Sequence, residues 1–373
     1  MKGRIYPALL VGLFCLLLCI PGLTMLVHPE SPDMYGVDVV TYPRFEATFP
    51  WLSRFEQYFT ANLGHKQRFV RLTNWLGYRV LHDLQSDNVL VGKHDWLFLK
   101  QDLGWESFRS EQPLAGAEAR QWRASVGGAA KLLAARGIRL LYVIVPSKET
   151  IYPEFLPKGA VRARNITRLD ETLQMFGELH IDYIDLRAPL RAAKRDEQVY
   201  DSIESHWNGR GARVGAEQLL TRVQELLQRP PGYADLNSHL APNTSWGDLP
   251  LILGLDKLFG TPSVELVVNE RRATRLVPPE SVKNPTRRQV KEMVYVAPDD
   301  SLPRALIIRD SFGFTFSDTL VEKFRRSTWL WTHELDFRLL EREQPDIVIV
   351  EQTERFLSGP APKLLTAKPR HRQ

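Results

Sequence analysis

Cysteine is nearly missing from this 373-residue sequence: Cys15 and Cys19 are its only two, and both lie in an apolar segment near the N-terminus. The rest of the chain therefore has neither a disulfide nor a thiol nucleophile. Cys19 is not preceded by the small residue that a lipoprotein signal requires. Of the nine histidines, none stands in a metal-ligand spacing such as His-x-x-x-His, so no catalytic metal is expected. Concentrated positive charge is also lacking. The net charge of +5 is spread along the chain, and no nucleic-acid-binding module is recognisable, so nucleic acid is not an expected partner. No internal repeat is visible.

Long apolar runs are absent but for one. After Lys2 and Arg4, no charged residue occurs from Ile5 to Val27. A membrane helix needs roughly 20 apolar residues, and the basic flank would keep the N-terminus in the cytoplasm. Residues 1–27 are thus expected to be an uncleaved transmembrane signal-anchor. The rival reading is a cleaved signal peptide, against which stand the length of the run and the lack of a small-x-small site after it. Both readings export the remainder.

What is present suits a globular protein: 43% hydrophobic and 25% charged residues can supply a sizeable core. Residues 28–50, rich in proline and polar residues, read as a linker. Residues 51–86 show helical apolar spacing with many aromatics. Beyond about 115, nearly continuous apolar runs recur: "IRLLYVIV" (138–145), "IDYIDL" (181–186), "RALIIR" (304–309), "STWLWT" (327–332) and "DIVIVE" (346–351). Such runs suit strands buried on both faces. Amphipathic stretches at 116–136, 168–179, 211–228, 312–326 and 336–343 alternate with them, which predicts an α/β domain with a mostly parallel sheet. Residues 229–300 break the rhythm and read as an insertion, and 361–373 read as a basic tail.

In such sheets, sites form where strands end. "RALIIR" runs into Asp310-Ser311, so Ser311 is expected on a strand-to-helix turn. There, a nucleophile would gain from the helix terminus and from free main-chain N–H groups able to hold an oxyanion. Ser and Asp are also favoured N-caps whatever the function. The loop "YDSIESHWNGRGA" (200–212) adds Glu204, His206 and Trp207. Acid-x-His spacing in extended chain puts both side chains on one side, so the carboxylate can hold one imidazole nitrogen while the other faces a nucleophile.

"IESHWNGRGA" followed by "RDSFG" resembles the acid-x-His-Trp and Asp-Ser-Phe signatures of the alginate O-acetyltransferases of the AlgX/AlgJ type. "VGKHDWLFL" (91–99), "VPSKETIYPEFLP" (145–157), "WGDLPLILGL" (246–255) and "PDIVIVEQTERFL" (345–357) agree, so the resemblance covers about 55–360. It implies an SGNH-hydrolase-like three-layer domain over 51–360, in permuted order because the serine follows the acid-His pair. It also implies Ser311 as nucleophile, His206 as base and Glu204 as orienting acid. The family usually has Asp at the position of Glu204, and Asp201 is a possible substitute.

Lys148 and Tyr152 follow a core strand and have two readings, substrate contact or loop structure. Trp207 can stack on a sugar or pack beneath His206. Arg309 flanks the serine as a further substrate contact, and Asp310 reads as a brace of the turn. Asp248 reads as a turn or cap residue, and Glu354-Arg355 as an internal ion pair. The resemblance further implies O-acetylation of a polysaccharide through an acetyl-serine. No cofactor is expected; a multipass membrane acyltransferase partner would supply the acetyl group. The site would be periplasmic, tethered by a single pass to the bacterial inner membrane. A carbohydrate acetyl esterase with the same triad and a non-catalytic scaffold of an export complex are the alternatives.

Overall fold

A computed structural model describes residues 43–45, 49–62, 66–81, 84–256, 258–276 and 292–365, with a few positions between 11 and 19. Most of the expected anchor (1–27), most of the linker (28–50) and most of the basic tail (361–373) lie outside the described residues. Among the described residues, no helix is long and apolar enough to cross a membrane. The chain divides into two units, residues 1–85 with 253–255, and residues 86–252 with 256–373.

The first unit bears out the helical spacing read after residue 50. Helices span Phe49–Asn62 and Lys66–Leu76, the second running into a π-turn at Gly77–Leu81. Aromatics four residues apart share a helix face, and the rings of Trp51, Phe55 and Phe59 stack successively at 5.2 and 6.3 Å. The Asn74 side chain donates to the Leu253 carbonyl at 2.8 Å, tying the short 253–255 segment to this unit.

The second unit carries the strands, numbered here in chain order. β1 (Val89–Val91) and β2 (Leu97–Leu99) form a small hairpin, followed by β3 (Arg139–Val145) and β4 (Asp182–Asp185). β5 (Ser238–Ser245) and β6 (Thr261–Val268) pair antiparallel apart from the main sheet. Then come β7 (Thr274–Leu276), β8 (Glu292–Val296), β9 (Arg304–Arg309), β10 (Arg326–Trp331), β11 (Glu334–Leu335), β12 (Ile347–Thr353) and β13 (Lys363–Leu364). Among the described residues, the main sheet has seven strands in the order β4-β3-β12-β9-β10-β8-β7. β4, β3, β12, β9 and β10 are parallel, as their unbroken apolar runs predict.

Successive residues of a strand face opposite sides, and the core divides accordingly. Leu141, Val143 and Val145 of β3 pack with Ala212, Ala216 and Leu219 of the helix Gly209–Leu226. Leu140, Tyr142 and Ile144 pack on the other face with Trp122, Val126 and Phe176, from the helices Gly116–Ala134 and Arg168–Glu178. The result is the expected three-layer α/β arrangement.

Residues 229–300 are not wholly an insertion. β7 and β8 join the main sheet, β8 antiparallel to β10 and β7 antiparallel to β8. These edge strands have three and five residues, with only alternate positions of β8 buried. Short, half-buried strands leave a much weaker pattern than the central runs.

The helix that follows "ESHW" begins in close contact with β6. A Cβ on Gly209 would lie 2.5 Å from the main chain of Glu265 and Leu266. Gly209→Ala is expected to lower the unfolding free energy by about 1–3 kcal/mol, the usual effect of overpacking. A denaturant midpoint equal to that of the unaltered chain would contradict this packing.

Candidate active site

β9 stops at Arg309 because two buried carboxylates capture the chain beyond it. Glu351 accepts from the Asp310 N–H (3.1 Å) and the Gly313 N–H (3.0 Å), and Asp310 accepts from the N–H groups of Phe312 (2.9 Å) and Thr353 (2.7 Å). The turn is thereby bound to β12, and the helix Gly313–Leu320 starts just past the serine. Asp310 braces the turn, as expected. The expected pool of free N–H groups does not survive, since Phe312 and Gly313 have acceptors. The Ser311 N–H is left without one among the described residues.

The acid-His loop is held as firmly. Lys148 Nζ donates to the carbonyls of Leu97 (2.7 Å), Ser202 (2.8 Å) and Glu204 (3.0 Å), which matches its three protons to three acceptors. The Asn208 side chain caps the helix Gly209–Leu226 by accepting from the N–H groups of Arg210 and Gly211. Trp207 Nε1–H donates to the Phe312 carbonyl at 3.3 Å, so the loop is tied to the serine turn.

Across 105 residues of sequence, Ser311 Oγ lies 2.8 Å from His206 Nε2, and His206 Nδ1 lies 2.7 Å from Glu204 Oε1. With Nδ1–H donating to the carboxylate, Nε2 offers its lone pair to the serine hydroxyl. All three residues are half-buried at the carboxyl end of the sheet.

A second carboxylate faces the same nitrogen. Asp248 Oδ2 is 3.5 Å from His206 Nδ1. Asp248 also accepts from the Ser205 N–H at 2.7 Å and from the Ser205 hydroxyl. The preceding Gly247 has φ +67°, and a Cβ there would come within 2.3 Å of the Ile203 carbonyl. Only glycine lets Asp248 approach so closely. Sequence reasoning left Asp248 as a cap because 42 positions separate it from His206. The one available signal was its place in "WGDLPLILGL", a segment with no other assigned task.

These charges set the protonation of the site. Burial pushes the imidazole down, but hydrogen bonds to Asp248 and Glu204 and their charges outweigh it and raise His206 to about 9. Burial and then the charge of Asp248 push the Glu204 carboxyl up. Asp248 is held well below the usual carboxylate range: burial acts to raise it, but hydrogen bonding and charge from His206, with the Ser205 donor, prevail. Asp248 is therefore the more firmly ionised of the two.

The other sequence candidates go elsewhere. Asp201 accepts from Asn208 (3.1 Å) and Ser263 (2.6 Å), so Glu204, not Asp201, meets the imidazole. The four expected substrate contacts, Lys148, Tyr152, Trp207 and Arg309, are all at most 3% exposed. Lys148 braces the loop. Tyr152 accepts from the Val199 N–H at 3.0 Å. Trp207 packs on Phe312 and Phe316. Arg309 donates to the Asp310 carbonyl at 2.9 Å. Burial removes each of them from contact with a polymer. Glu354 and Arg355 do not form the expected ion pair: Glu354 accepts from the Ser147 N–H, and Arg355 lies against aromatic rings. Glu204, His206 and Asp248 each offer a ligand atom within 4.8 Å of the others, a grouping able to hold a metal ion. Glu204 and His206 are already joined by a hydrogen bond, and Asp248 accepts from the Ser205 hydroxyl.

Residues 89–286, just over half of the chain, match the family model described as SGNH hydrolase-like domain, acetyltransferase AlgX. The match includes Glu204, His206 and Asp248 and stops before Ser311. The probable alginate O-acetylases AlgJ of Pseudomonas aeruginosa and Pseudomonas fluorescens are 28% identical over 206 residues and 27% identical over 263. Those alignments cover 55% and 68% of this chain but only 51% and 58% of the relatives, so the chain spans little more than half their length. Among solved structures, Bacillus cereus PatB1 superposes with a TM-score of 0.56 at 15% identity, over 74% of this chain and 98% of that one. At that identity the likeness is one of fold.

Neutral imidazole is the form that accepts a proton, so attack by Ser311 on p-nitrophenyl acetate is expected to quicken as pH rises toward about 9. Asp248→Asn removes an anion from Nδ1 and should move that rise to lower pH; an unmoved profile would separate Asp248 from the imidazole. The stability term has the opposite sign. His206 is raised in the folded chain, so its contribution is complete below 6.5 and is lost as pH rises through about 9. Glu204→Gln and Asp248→Asn each leave one carboxylate at Nδ1. Each should cost far less than the double variant, for which a loss of about 10⁴-fold is expected. Equal losses in all three would mean that the carboxylates do not share the task.

Proposed function

Because the chain belongs to the family of SGNH hydrolase-like domains of the acetyltransferase AlgX, we propose that it transfers acetyl groups onto hydroxyls of an extracytoplasmic polysaccharide through an acetyl-serine. The observation that carries this reading is the single imidazole held between Glu204 and Ser311 at 2.7 and 2.8 Å. His206 takes the Ser311 proton as Oγ bonds to the acetyl carbon, then returns it to the departing oxygen of the donor. A sugar hydroxyl enters next, gives its proton to His206 as its oxygen bonds to the acetyl carbon, and His206 passes that proton to Ser311 Oγ as the acyl–Oγ bond breaks. The adjacent carboxylates stabilise the imidazolium in both halves.

The names of the AlgJ relatives favour an alginate-like acceptor. The uncharged run from Ile5 to Val27 favours a single-pass anchor in the inner membrane with the site in the periplasm. A multipass membrane acyltransferase would then deliver acetyl groups from the cytoplasmic side, and the domain itself would need no cofactor.

Incubation of the full chain with an acetyl ester, with and without alginate oligosaccharide, tests the reading. Acetylated oligosaccharide is expected to appear, together with acetyl-Ser311 in acceptor-free samples examined by mass spectrometry. Acetate release that ignores every acceptor would make the chain an esterase. Ser311→Ala should abolish transfer, by about 10⁶-fold if the nucleophile behaves as in other serine enzymes. Undiminished transfer by that variant would end the acyl-serine reading. Dialysis against a chelator is expected to leave transfer unchanged, and a loss restored by a divalent cation would move the chemistry to the Glu204, His206 and Asp248 cluster.

A further inference from the structure

Arg355 is the second residue of the 3₁₀ turn Glu354–Ser358, directly after β12. It is only 7% exposed, and its Nε is sealed without an acceptor. Among the described residues the guanidinium forms no ion pair and donates no hydrogen bond. It rests instead on two aromatic rings, 5.6 Å from the centroid of Phe312 and 4.7 Å from that of Phe356. Cation–π contact offsets part of the cost of burying the charge, but it leaves the N–H groups unused.

Its surroundings belong to the site. Phe312 follows Ser311, and its ring is 4.8 Å from the imidazole of His206. Arg355 also lines a cavity of about 10 Å³ with Ser147, Lys148, Glu149 and Ser205, the last of which precedes His206. The guanidinium thus lies over the ring of the residue that follows Ser311 and shares a cavity with the residue that precedes His206. Two carboxylates nearby could have neutralised it. Glu354 is turned to the Ser147 N–H, and Glu149 forms no ion pair with it. Burial pushes Glu149 up to about 7 despite the opposing charges of Lys148 and Arg355.

The serine turn meanwhile lacks donors. Phe312 and Gly313 donate to Asp310 and Glu351, so Ser311 alone keeps an open N–H. Each donor preorganised toward the oxygen that becomes negative is worth about 10²–10³ in rate. We propose that Arg355 is the second donor: its guanidinium, with the Ser311 N–H, holds the acyl oxygen as it becomes an oxyanion. In that step Ser311 Oγ bonds to the acyl carbon, the carbonyl π pair moves to oxygen beside Arg355, and the hydroxyl proton passes to His206 Nε2. Collapse returns the pair to the carbonyl and expels the donor's oxygen with that proton. The proposal rests on the acyl-serine reading above.

The burst of p-nitrophenolate from p-nitrophenyl acetate, measured on the full chain, reports the acylation step by itself. Arg355→Met is expected to slow it about 10²–10³-fold, the loss typical of one oxyanion donor. Arg355→Lys should lie between, and added methylguanidinium should restore part of the burst rate of Arg355→Ala, which a purely structural role would not allow. Should Arg355→Met fail to fold, Arg355→Lys decides, because it keeps the charge and the stem but loses the paired donors. A wild-type burst in either folded variant overturns the proposal, as does a defect confined to KM for an oligosaccharide acceptor, which would make Arg355 an acceptor contact. Ser311→Ala in the same assay separates the two claims. A burst surviving in that variant removes the acyl-serine, whereas its loss beside unaffected Arg355 variants removes only the role of Arg355.

Discussion

Two buried carboxylates take over the main chain where the central strand β9 ends. Glu351 gathers the N–H groups of Asp310 and Gly313, and Asp310 gathers those of Phe312 and Thr353. Four hydrogen bonds in so small a space fix the turn against β12 more firmly than a single helix cap would. Ser311 is thereby displayed at a defined place, and the 3₁₀ turn carrying Arg355 is brought beside it. The same bonds withdraw two amides from any oxyanion. A rigid serine turn and a scarcity of main-chain donors are two consequences of one clamp.

Beneath the loop that brings His206 to this turn, Lys148 makes a comparable fixture. Burial lowers its ammonium to about 7 against the pull of Glu149, Asp248 and Glu204. Only the ammonium form carries the three protons that the carbonyls of Leu97, Ser202 and Glu204 accept. A buried ammonium with every proton matched is a brace, and its position explains how Glu204 meets the imidazole despite its additional methylene. Lys148 holds the Glu204 main chain, Trp207 anchors to the Phe312 carbonyl, and Asp248 supplies a second anion from a different element. Placement of the imidazole is shared among several elements and does not rest on one carboxylate.

The central strands were legible in the sequence because residues buried on both faces leave an unbroken apolar run, and the helices between them because they present one apolar face. β7 and β8 were not, since short edge strands with one solvated face carry little pattern. Ser311, His206 and Glu204 could be named together because acid-x-His spacing is local and the serine ends a core strand. The expected substrate contacts failed for a common reason. Lys148, Tyr152, Trp207 and Arg309 have side chains that suit a ligand or an interior equally well, and only burial tells the two apart.

By itself, then, the sequence determined the layered α/β class and singled out Ser311, His206 and Glu204 as one candidate site, because each of these follows from local periodicity or short-range spacing. The tertiary structure alone decided that Asp248 shares the imidazole, that the amides after Ser311 are occupied, and that Arg355 keeps its donors unused. Apart from the Phe312–Asp310 bond, which spans two positions, those facts depend on residues tens of positions apart, and no local pattern encodes which polar groups satisfy one another once the chain has packed.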